Sequence, residues 1–205
     1  MATIRGIRQV AIMVNDLEQA CQDYGRVLGL KTLRQGDLPQ FGLRNALLYA
    51  GNGTFVEFLQ PTDPQSAGAR FLQRRGEGLY LLICEVEGLD ALVGRIQTQG
   101  GRITGTSENA HRRSAFVHPS FLNGVFFELV EVRGANPWPE AGDWQAREAE
   151  LRPRVRQVRQ LAILVRDLEA AVRRWEETFD LKATNRFPIR FAGLEDILRE
   201  SMVRV

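Results

Sequence analysis

The segment Ile7-Arg8-Gln9-Val10-Ala11-Ile12-Met13-Val14-Asn15-Asp16-Leu17-Glu18 carries a pattern that organises the whole chain. Its β-branched and apolar residues alternate so that one side of the segment is apolar and the other carries Gln9, which predicts a strand. Asp16 predicts the N-terminus of a helix, because Asp is a preferred N-cap and Gln19 completes a capping box. Apolar residues then recur at helical spacing as far as Leu28.

The same strand-then-helix pattern occurs two more times. A weaker copy covers residues 79–90, with Leu81 in the place of Gln9, and a third copy covers residues 158–169. Each of the first two copies is followed by segments typical of strands, which are Ala46–Tyr49 and Thr54–Leu59 in one case and Ala115–Val117 and Val125–Val132 in the other. Two β-α-β-β-β units in tandem predict one α+β domain over residues 1–132.

The remainder of the chain divides into a linker and a partial unit. Residues 133–152 are rich in polar residues and contain Trp138 and Trp144, and we expect these tryptophans to pack onto the first domain. Residues 153–205 begin a third unit, with a predicted strand around Ile163 and a helix that carries Trp175 and Phe179. The sequence reaches Val205 without the turn and closing strand that complete the first unit.

This half-unit cannot bury its own apolar residues. Buried apolar surface contributes roughly 25 cal/mol per Å², so exposure of these residues would cost several kcal/mol. An unpaired strand edge also favours pairing with another chain. We therefore expect the half-unit to dock on its own first domain or on another copy, and a homodimer formed through it is the predicted assembly.

Composition excludes several classes of function. With 205 residues and 44% hydrophobic content, the chain can bury a substantial core. A net charge of +2 indicates no electrostatic partner such as nucleic acid, and the arginines between Arg152 and Arg159 are expected on the solvent side of an edge strand. No apolar run reaches the roughly 18 residues of a membrane helix, and the N-terminus lacks a signal-peptide layout, so we expect a cytoplasmic protein without a membrane partner.

Three motifs resemble those of a known superfamily. They are Val14-Asn15-Asp16-Leu17-Glu18 followed by Leu28-Gly29-Leu30, the stretch from Ala69-Arg70-Phe71-Leu72 to Leu79, and Phe116-Val117-His118-Pro119 followed by Gly124–Glu131. With the paired units, they make residues 4–132 similar to the vicinal-oxygen-chelate superfamily, which includes glyoxalase I, extradiol dioxygenases, antibiotic-binding resistance proteins and methylmalonyl-CoA epimerase. Within this superfamily, the three motifs most resemble those of methylmalonyl-CoA epimerase. The resemblance implies that the two units form one cup.

The resemblance also implies a divalent metal on the floor of the cup, where a metal acts as a Lewis acid. The four ligand positions of the superfamily correspond to Gln9, Glu57, Leu81 and Glu128. Gln is found at the first position in glyoxalase-type sites, but the side chain of Leu81 has no lone pair to donate. One catalytic base of the epimerase corresponds to a position at or beside Gln40, which cannot take up a proton. The site is therefore predicted to be degenerate.

Two interpretations of the remaining polar residues stay open. Gln9, Glu57 and Glu128 offer three oxygen ligands, which favours Mg or Mn over Zn. Alternatively, no metal is bound and the two carboxylates are pocket residues, hydrogen-bonded to Gln9 or to a ligand, that could share a proton. Either way, the predicted apolar lining for a ligand consists of Met13, Phe55, Leu59, Leu81 and Phe126.

Two functions follow from these interpretations, together with a structural one. The first is a binding protein with a degenerate metal site and no cofactor, which holds an apolar small molecule bearing a carbonyl or a carboxylate. The second is a divalent-metal-dependent lyase or isomerase of the glyoxalase I or methylmalonyl-CoA epimerase type. In that enzyme Glu128 would ligate the metal and act as base, and His118 would orient the substrate. The third is an assembly module whose cup is closed by Phe and Leu side chains.

Overall fold

The strand predicted from the opening segment lies at the centre of the sheet. The computed structural model describes residues 2–134, 138 and 141–184, and β1 spans Thr3–Met13. The other strands are β2 (Lys31–Leu38), β3 (Leu43–Tyr49), β4 (Phe55–Pro61), β5 (Gly78–Glu87), β6 (Ile103–Glu108), β7 (Arg112–Val117) and β8 (Phe126–Val132).

The eight strands form one mixed sheet in the order β2-β3-β4-β1-β5-β8-β7-β6. Strands β1 and β4 are parallel, as are β5 and β8, and the two groups of four strands meet through the antiparallel pair β1 and β5. Each predicted unit therefore contributes half of the sheet. The α+β class predicted from the sequence is confirmed.

The helices among the described residues are short. They are α1 (Leu17–Leu28), α2 (Ala67–Arg75), α3 (Leu89–Thr98), α4 (Trp144–Leu151) and α5 (Leu168–Phe179), with a single 3₁₀ turn at Pro39–Phe41. The carboxylate of Asp16 caps α1 by accepting the backbone N–H of Gln19 at 2.9 Å, as predicted. In this part of the chain, no helix has the length and apolar character that a membrane crossing requires.

The two faces of the sheet bury different partners. We call the side covered by α1 and α3 the helix face; its core includes Val14 and Phe58 under α1 and Phe127 under α3. The opposite side carries Gln9 and Glu57, and we call it the cup face. Helix α2 covers one end of the cup face, and residues that follow β8 cover the other end.

The third unit differs from its prediction. Helix α5 forms as expected, and Asp167 caps it by accepting the backbone N–H of Ala170 at 2.9 Å. The predicted strand around Ile163 is wrong, because residues 158–165 form no strand. Leu161 and Ile163 pack instead against the core of the helix face. A segment that crosses a sheet face finds no free backbone groups to pair with, since only the outermost strands β2 and β6 have unpaired edges.

The arginines that precede this segment are also not on an edge strand. Arg152, Arg154, Arg156 and Arg159 are solvent-exposed, as expected, but they lie on irregular backbone. Arg154 donates from its backbone N–H to Leu28 O at 2.8 Å, which fastens the segment to the end of α1. The arginines are exposed because apolar neighbours such as Val155 and Val158 face the core of the helix face.

Helix α5 docks on the domain of its own chain. Phe179 is fully buried, and its ring lies 6.5 Å from that of Phe127. Arg95 Nη1 donates to Thr178 O at 2.8 Å, and Thr178 Oγ1 donates to Gln99 Oε1 at 2.9 Å. Of the two docking modes expected, this is the intramolecular one, and the homodimer stays a prediction. The prediction that the third unit lacks a turn and a closing strand concerns residues after 184, which lie outside the described residues.

This docking predicts a large difference between two substitutions on one helix. Phe179→Ala should lower the free energy of unfolding by about 3–5 kcal/mol, because it removes a fully buried ring. Leu168→Ala, at a residue that is 59% exposed, should change it by less than about 0.5 kcal/mol. Urea denaturation of both variants measures the difference. Equal small effects would show that α5 is not packed on the domain in solution.

Candidate functional site

The four positions assigned to metal ligands lie together on the cup face. They occupy four neighbouring strands, β4, β1, β5 and β8. Gln9 and Glu128 are both paired with Ile83 across the sheet, and Glu57 and Leu81 are both paired with Ala11 one step along. The three polar residues among the four positions, Gln9, Glu57 and Glu128, are buried. The resemblance to the superfamily implied this shared floor, and the alternation of side chains along each strand agrees with it.

A chain of hydrogen bonds connects four side chains at this point. Asn45 Nδ2 donates to Glu57 Oε1 at 2.6 Å, and Gln9 Nε2 donates to Glu57 Oε2 at 2.8 Å. Trp138 Nε1 then donates to Gln9 Oε1 at 3.1 Å. We call Asn45, Glu57, Gln9 and Trp138 the Gln9 network. Its direction is fixed, because an indole N–H can only donate, so Gln9 accepts through its oxygen and must donate through its amide nitrogen to Glu57.

Trp138 belongs to the predicted linker, yet its side chain lies on the cup floor. It is 1% exposed. Its ring is stacked on that of Phe55 with centroids 6.2 Å apart and an interplanar angle of 18°. The guanidinium of Arg112 lies 5.3 Å from the ring centroid, within reach of a cation–π interaction. The expectation that the linker tryptophans pack on the first domain is confirmed for this residue.

The residues after Trp138 continue across the cup face, and we call the described residues 138 and 141–151 the strap. Trp144 packs on Phe55 and Tyr49, with ring centroids 5.6 and 5.5 Å apart. Leu151, at the end of α4, is 1% exposed. Tyr49 donates its hydroxyl hydrogen bond to Glu148 of α4. Together these contacts attach the strap to strands β3 and β4, and a short helix stands where the sequence predicted only a linker.

The donor set, as arranged, does not fit a divalent cation. The carbonyl oxygen of Gln9 already accepts from Trp138, and both carboxylate oxygens of Glu57 accept from amide groups. Leu81 offers no lone pair. Within the described residues, no group of three or more His, Cys, Asp and Glu side chains is placed to hold a metal ion. The ligand assignment of Gln9, Glu57 and Glu128 therefore stays a prediction from resemblance.

The residues predicted to line a ligand fall into two groups. Met13 and Leu59 are almost fully buried under α2, and Phe55 is fully buried under the two strap tryptophans. Leu81 is half-buried between the region under α2 and the region under the strap, and Phe126 is half-buried beside Tyr80 and Phe116. The first group is part of the core, whereas Leu81 and Phe126 retain exposed surface.

The proposed catalytic residues, His118 and Glu128, lie at different depths of the cup. His118 follows β7, where its Nδ1 accepts the backbone N–H of Ser120 at 3.2 Å and lies 2.8 Å from Ser120 Oγ. Glu128 is buried on the cup face, two strands away from Gln9. Their roles in catalysis stay predictions.

The sequence did not identify the roles of three residues that form the cup floor or the cleft beside it, which are Asn45, Trp138 and Arg8. Gln40 is exposed in the 3₁₀ turn, whereas the residue of this region that reaches the cup floor is Asn45 on β3. Asn45 could have been found, because it shares the alternation of Leu47 and Tyr49. The bond between Trp138 and Gln9 spans 129 residues, and no local pattern predicts it. Arg8 was not identified from the sequence, because strand alternation predicts that a residue adjacent to Gln9 lies on the opposite face.

Arg8 lines a cleft of about 380 Å³ beside the strap. Its lining combines apolar and aromatic side chains, which are Phe55, Val132, Trp138 and Trp144, with polar ones that include the carboxylates of Glu85 and Glu148. Arg8 Nε pairs with Glu85 Oε2 at 2.6 Å, and its side chain is 35% exposed. A guanidinium has five N–H donors, so this ion pair leaves others available to a ligand.

The contact between Tyr49 and Glu148 predicts how stability depends on alkaline pH. Burial raises the pKa of Tyr49 to about 12, and the Glu148 carboxylate adds to the rise. The unfolded chain releases this proton near pH 10, so between the two values it binds fewer protons than the folded chain. The stabilisation that depends on Tyr49 is therefore complete below about pH 10 and is lost as pH rises toward 12.

Urea denaturation of the wild type and of Tyr49→Phe, between pH 9 and 11.5, tests this expectation. The wild type should lose more stability over this range than the variant, which has no phenol to titrate. An unchanged difference between the two proteins across the range would show that Tyr49 is not held under the strap.

Comparisons with known proteins agree with this architecture. The family model described as "Glyoxalase-like domain" matches residues 10–179, which includes the strap and α5. The ethylmalonyl-CoA/methylmalonyl-CoA epimerase of Cereibacter sphaeroides is 34% identical over 131 residues, which are 62% of this chain and 97% of that protein. The crystal structure of methylmalonyl-CoA epimerase from Mycobacterium tuberculosis has 34% identity and a TM-score of 0.56, over 64% of this chain and 91% of that one.

A further structure, of methylmalonyl-CoA epimerase in complex with methylmalonyl-CoA and NH4+, is 25% identical with a TM-score of 0.54 and covers 64% of this chain and 95% of that one. The resemblance to the vicinal-oxygen-chelate superfamily, and to methylmalonyl-CoA epimerase within it, is confirmed for the paired units. The chain belongs to the family of proteins with a glyoxalase-like domain.

Proposed function

We propose that this protein binds a small apolar ligand that bears a carboxylate or a carbonyl, and that it does so without a metal ion. The observation that carries the proposal is the Gln9 network, in which two of the three side chains expected to ligate a metal, Gln9 and Glu57, are hydrogen-bonded to each other and to Asn45 and Trp138. Side chains engaged in this way do not provide a Lewis-acid centre, so the function that we propose is binding.

The hydrogen bonds oppose metal binding energetically. Because an amide oxygen has two lone pairs, a cation at the cup floor would have to approach the oxygen of Gln9 beside the buried indole of Trp138. If the cation displaced the indole instead, a buried donor left without a partner would cost about 1–3 kcal/mol. Leu81 supplies no ligand in return. The cation would thus displace existing interactions at a position that has already lost one of its four donors.

The ligand site that we propose is the cleft beside the strap. Its volume of about 380 Å³ is within the range of small-molecule pockets, roughly 300–1,000 Å³. Aromatic walls suit an apolar body, and the N–H groups of Arg8 not used by Glu85 suit a carboxylate, which guanidinium binds through paired hydrogen bonds. The polar end of the ligand therefore faces Arg8.

Benzoate and benzyl alcohol are suitable probes, because they share a ring and differ in charge. We expect benzoate to bind more tightly, and Arg8→Met to weaken benzoate binding by about tenfold through loss of a charged hydrogen bond. Arg5→Met is the matched control, since Arg5 is also on β1 and also paired with a carboxylate, that of Glu87. Ligand-observed NMR titration gives the affinities. Equal losses in the two variants would exclude Arg8 as the anchor.

The alternative is a metal-dependent isomerase, and the relatives named methylmalonyl-CoA epimerase favour it. Epimerisation at the carbon next to a thioester carbonyl removes a proton, so in D₂O it exchanges that proton for deuterium. We expect no exchange of methylmalonyl-CoA above the buffer rate, with or without Mn²⁺ or Mg²⁺. Exchange that the metal stimulates and that Glu128→Gln abolishes would establish the isomerase instead.

A further inference from the structure

We infer that the cup floor is a binding site for a planar aromatic ring with one hydrogen-bond donor on its edge, and that Trp138 is the chain's own occupant of this site. The inference rests on the proposed function in one respect, which is that no metal ion occupies the cup floor. It adds the chemical class of the organic group that the floor accepts. It also assigns a role to a residue from the segment that the sequence predicted as a linker.

The requirement for a donor follows from the direction of the hydrogen bonds. Glu57 accepts from Asn45 and from the amide nitrogen of Gln9, so the amide of Gln9 cannot turn over without losing its partner. The oxygen of Gln9 therefore points at the occupant of the site. A ligand carbonyl or carboxylate would meet another oxygen there, whereas an N–H or O–H would be accepted.

The requirement for a flat ring follows from the walls. Phe55 stacks nearly parallel to the indole, at 18°, and the guanidinium of Arg112 lies 5.3 Å from its centroid. Leu47, Ile83 and Val130 belong to the same buried cluster as the ring. These surfaces fit a π system, because stacking and cation–π contacts both need its face.

The site is built by parts of the chain far from Trp138. Gln9 is on β1, Phe55 and Glu57 are on β4, and Asn45 is on β3, so the floor and its acceptor are fixed by neighbouring strands of the central sheet. When a large core side chain is removed, its surroundings relax only partially and a cavity remains. Removal of the indole should therefore leave a cavity that an external ring of the same chemistry can fill.

The test is chemical rescue of Trp138→Ala in the full chain. Indole should bind the variant with one-to-one stoichiometry and raise its melting temperature. Indene, which has the same shape without the N–H, should bind about tenfold more weakly. In the double variant Gln9→Leu with Trp138→Ala, the preference for indole should disappear. Equal binding of indole and indene to folded Trp138→Ala, or no binding of either, would overturn the inference.

A measurement on the wild type does not depend on the folding of a variant. In protein labelled with ¹⁵N at tryptophan, the indole N–H of Trp138 should exchange with solvent at least about tenfold more slowly than that of Trp175, whose acceptor Asn123 is exposed. Equal exchange rates would show that Trp138 does not occupy the floor. The benzoate and deuterium-exchange experiments test the proposed function, and these two test the inference, so failures of the two are distinguishable.

Discussion

The hydrogen bond from the Gln9 amide to the Glu57 carboxylate is the interaction on which the organisation of the cup depends. A buried carboxylate without donors would cost several kcal/mol, and two side-chain amides supply donors to Glu57 from β1 and β3. Because the amide nitrogen of Gln9 donates to Glu57, the buried side-chain oxygen of Gln9 needs a separate donor. Trp138 supplies it, and the strap is thereby attached to the sheet through a polar contact as well as an apolar one.

This arrangement relates the chain to its family in a specific way. The glyoxalase-like sheet places four residues at the cup floor, and in this sequence one of them is Leu81. Of the three polar residues that remain, Gln9 and Glu57 are hydrogen-bonded to each other. Gln9 also accepts from Trp138, and Glu57 also accepts from Asn45. A strap of apolar and aromatic residues covers the same face, while the third unit covers the opposite face through Leu161, Ile163 and Phe179. The match to the family model, over residues 10–179, includes both the strap and helix α5.

Local patterns predicted most of the fold. Strand alternation separated Gln9 from the apolar side of β1, the family resemblance placed Glu57 beside it, and Asp16 and Asp167 cap helices where their sequence contexts indicated. The prediction failed around Ile163, because alternation reports which side chains are buried and not whether the backbone has a partner to pair with. Trp138 shows the other limit. Its acceptor is 129 residues away, so its position depends on how the finished sheet is covered and not on any motif around it.

The central claim is that Trp138, and not a cation, meets the oxygen of Gln9. Crystals grown with Mn²⁺ test it directly, through an anomalous difference map at the manganese absorption edge. We predict no anomalous peak between Gln9, Glu57 and Glu128, with the indole nitrogen of Trp138 within hydrogen-bond distance of Gln9 Oε1. A peak roughly 2.0–2.4 Å from the carboxylate oxygens of Glu57 and Glu128, with Trp138 displaced from the floor, would contradict the account.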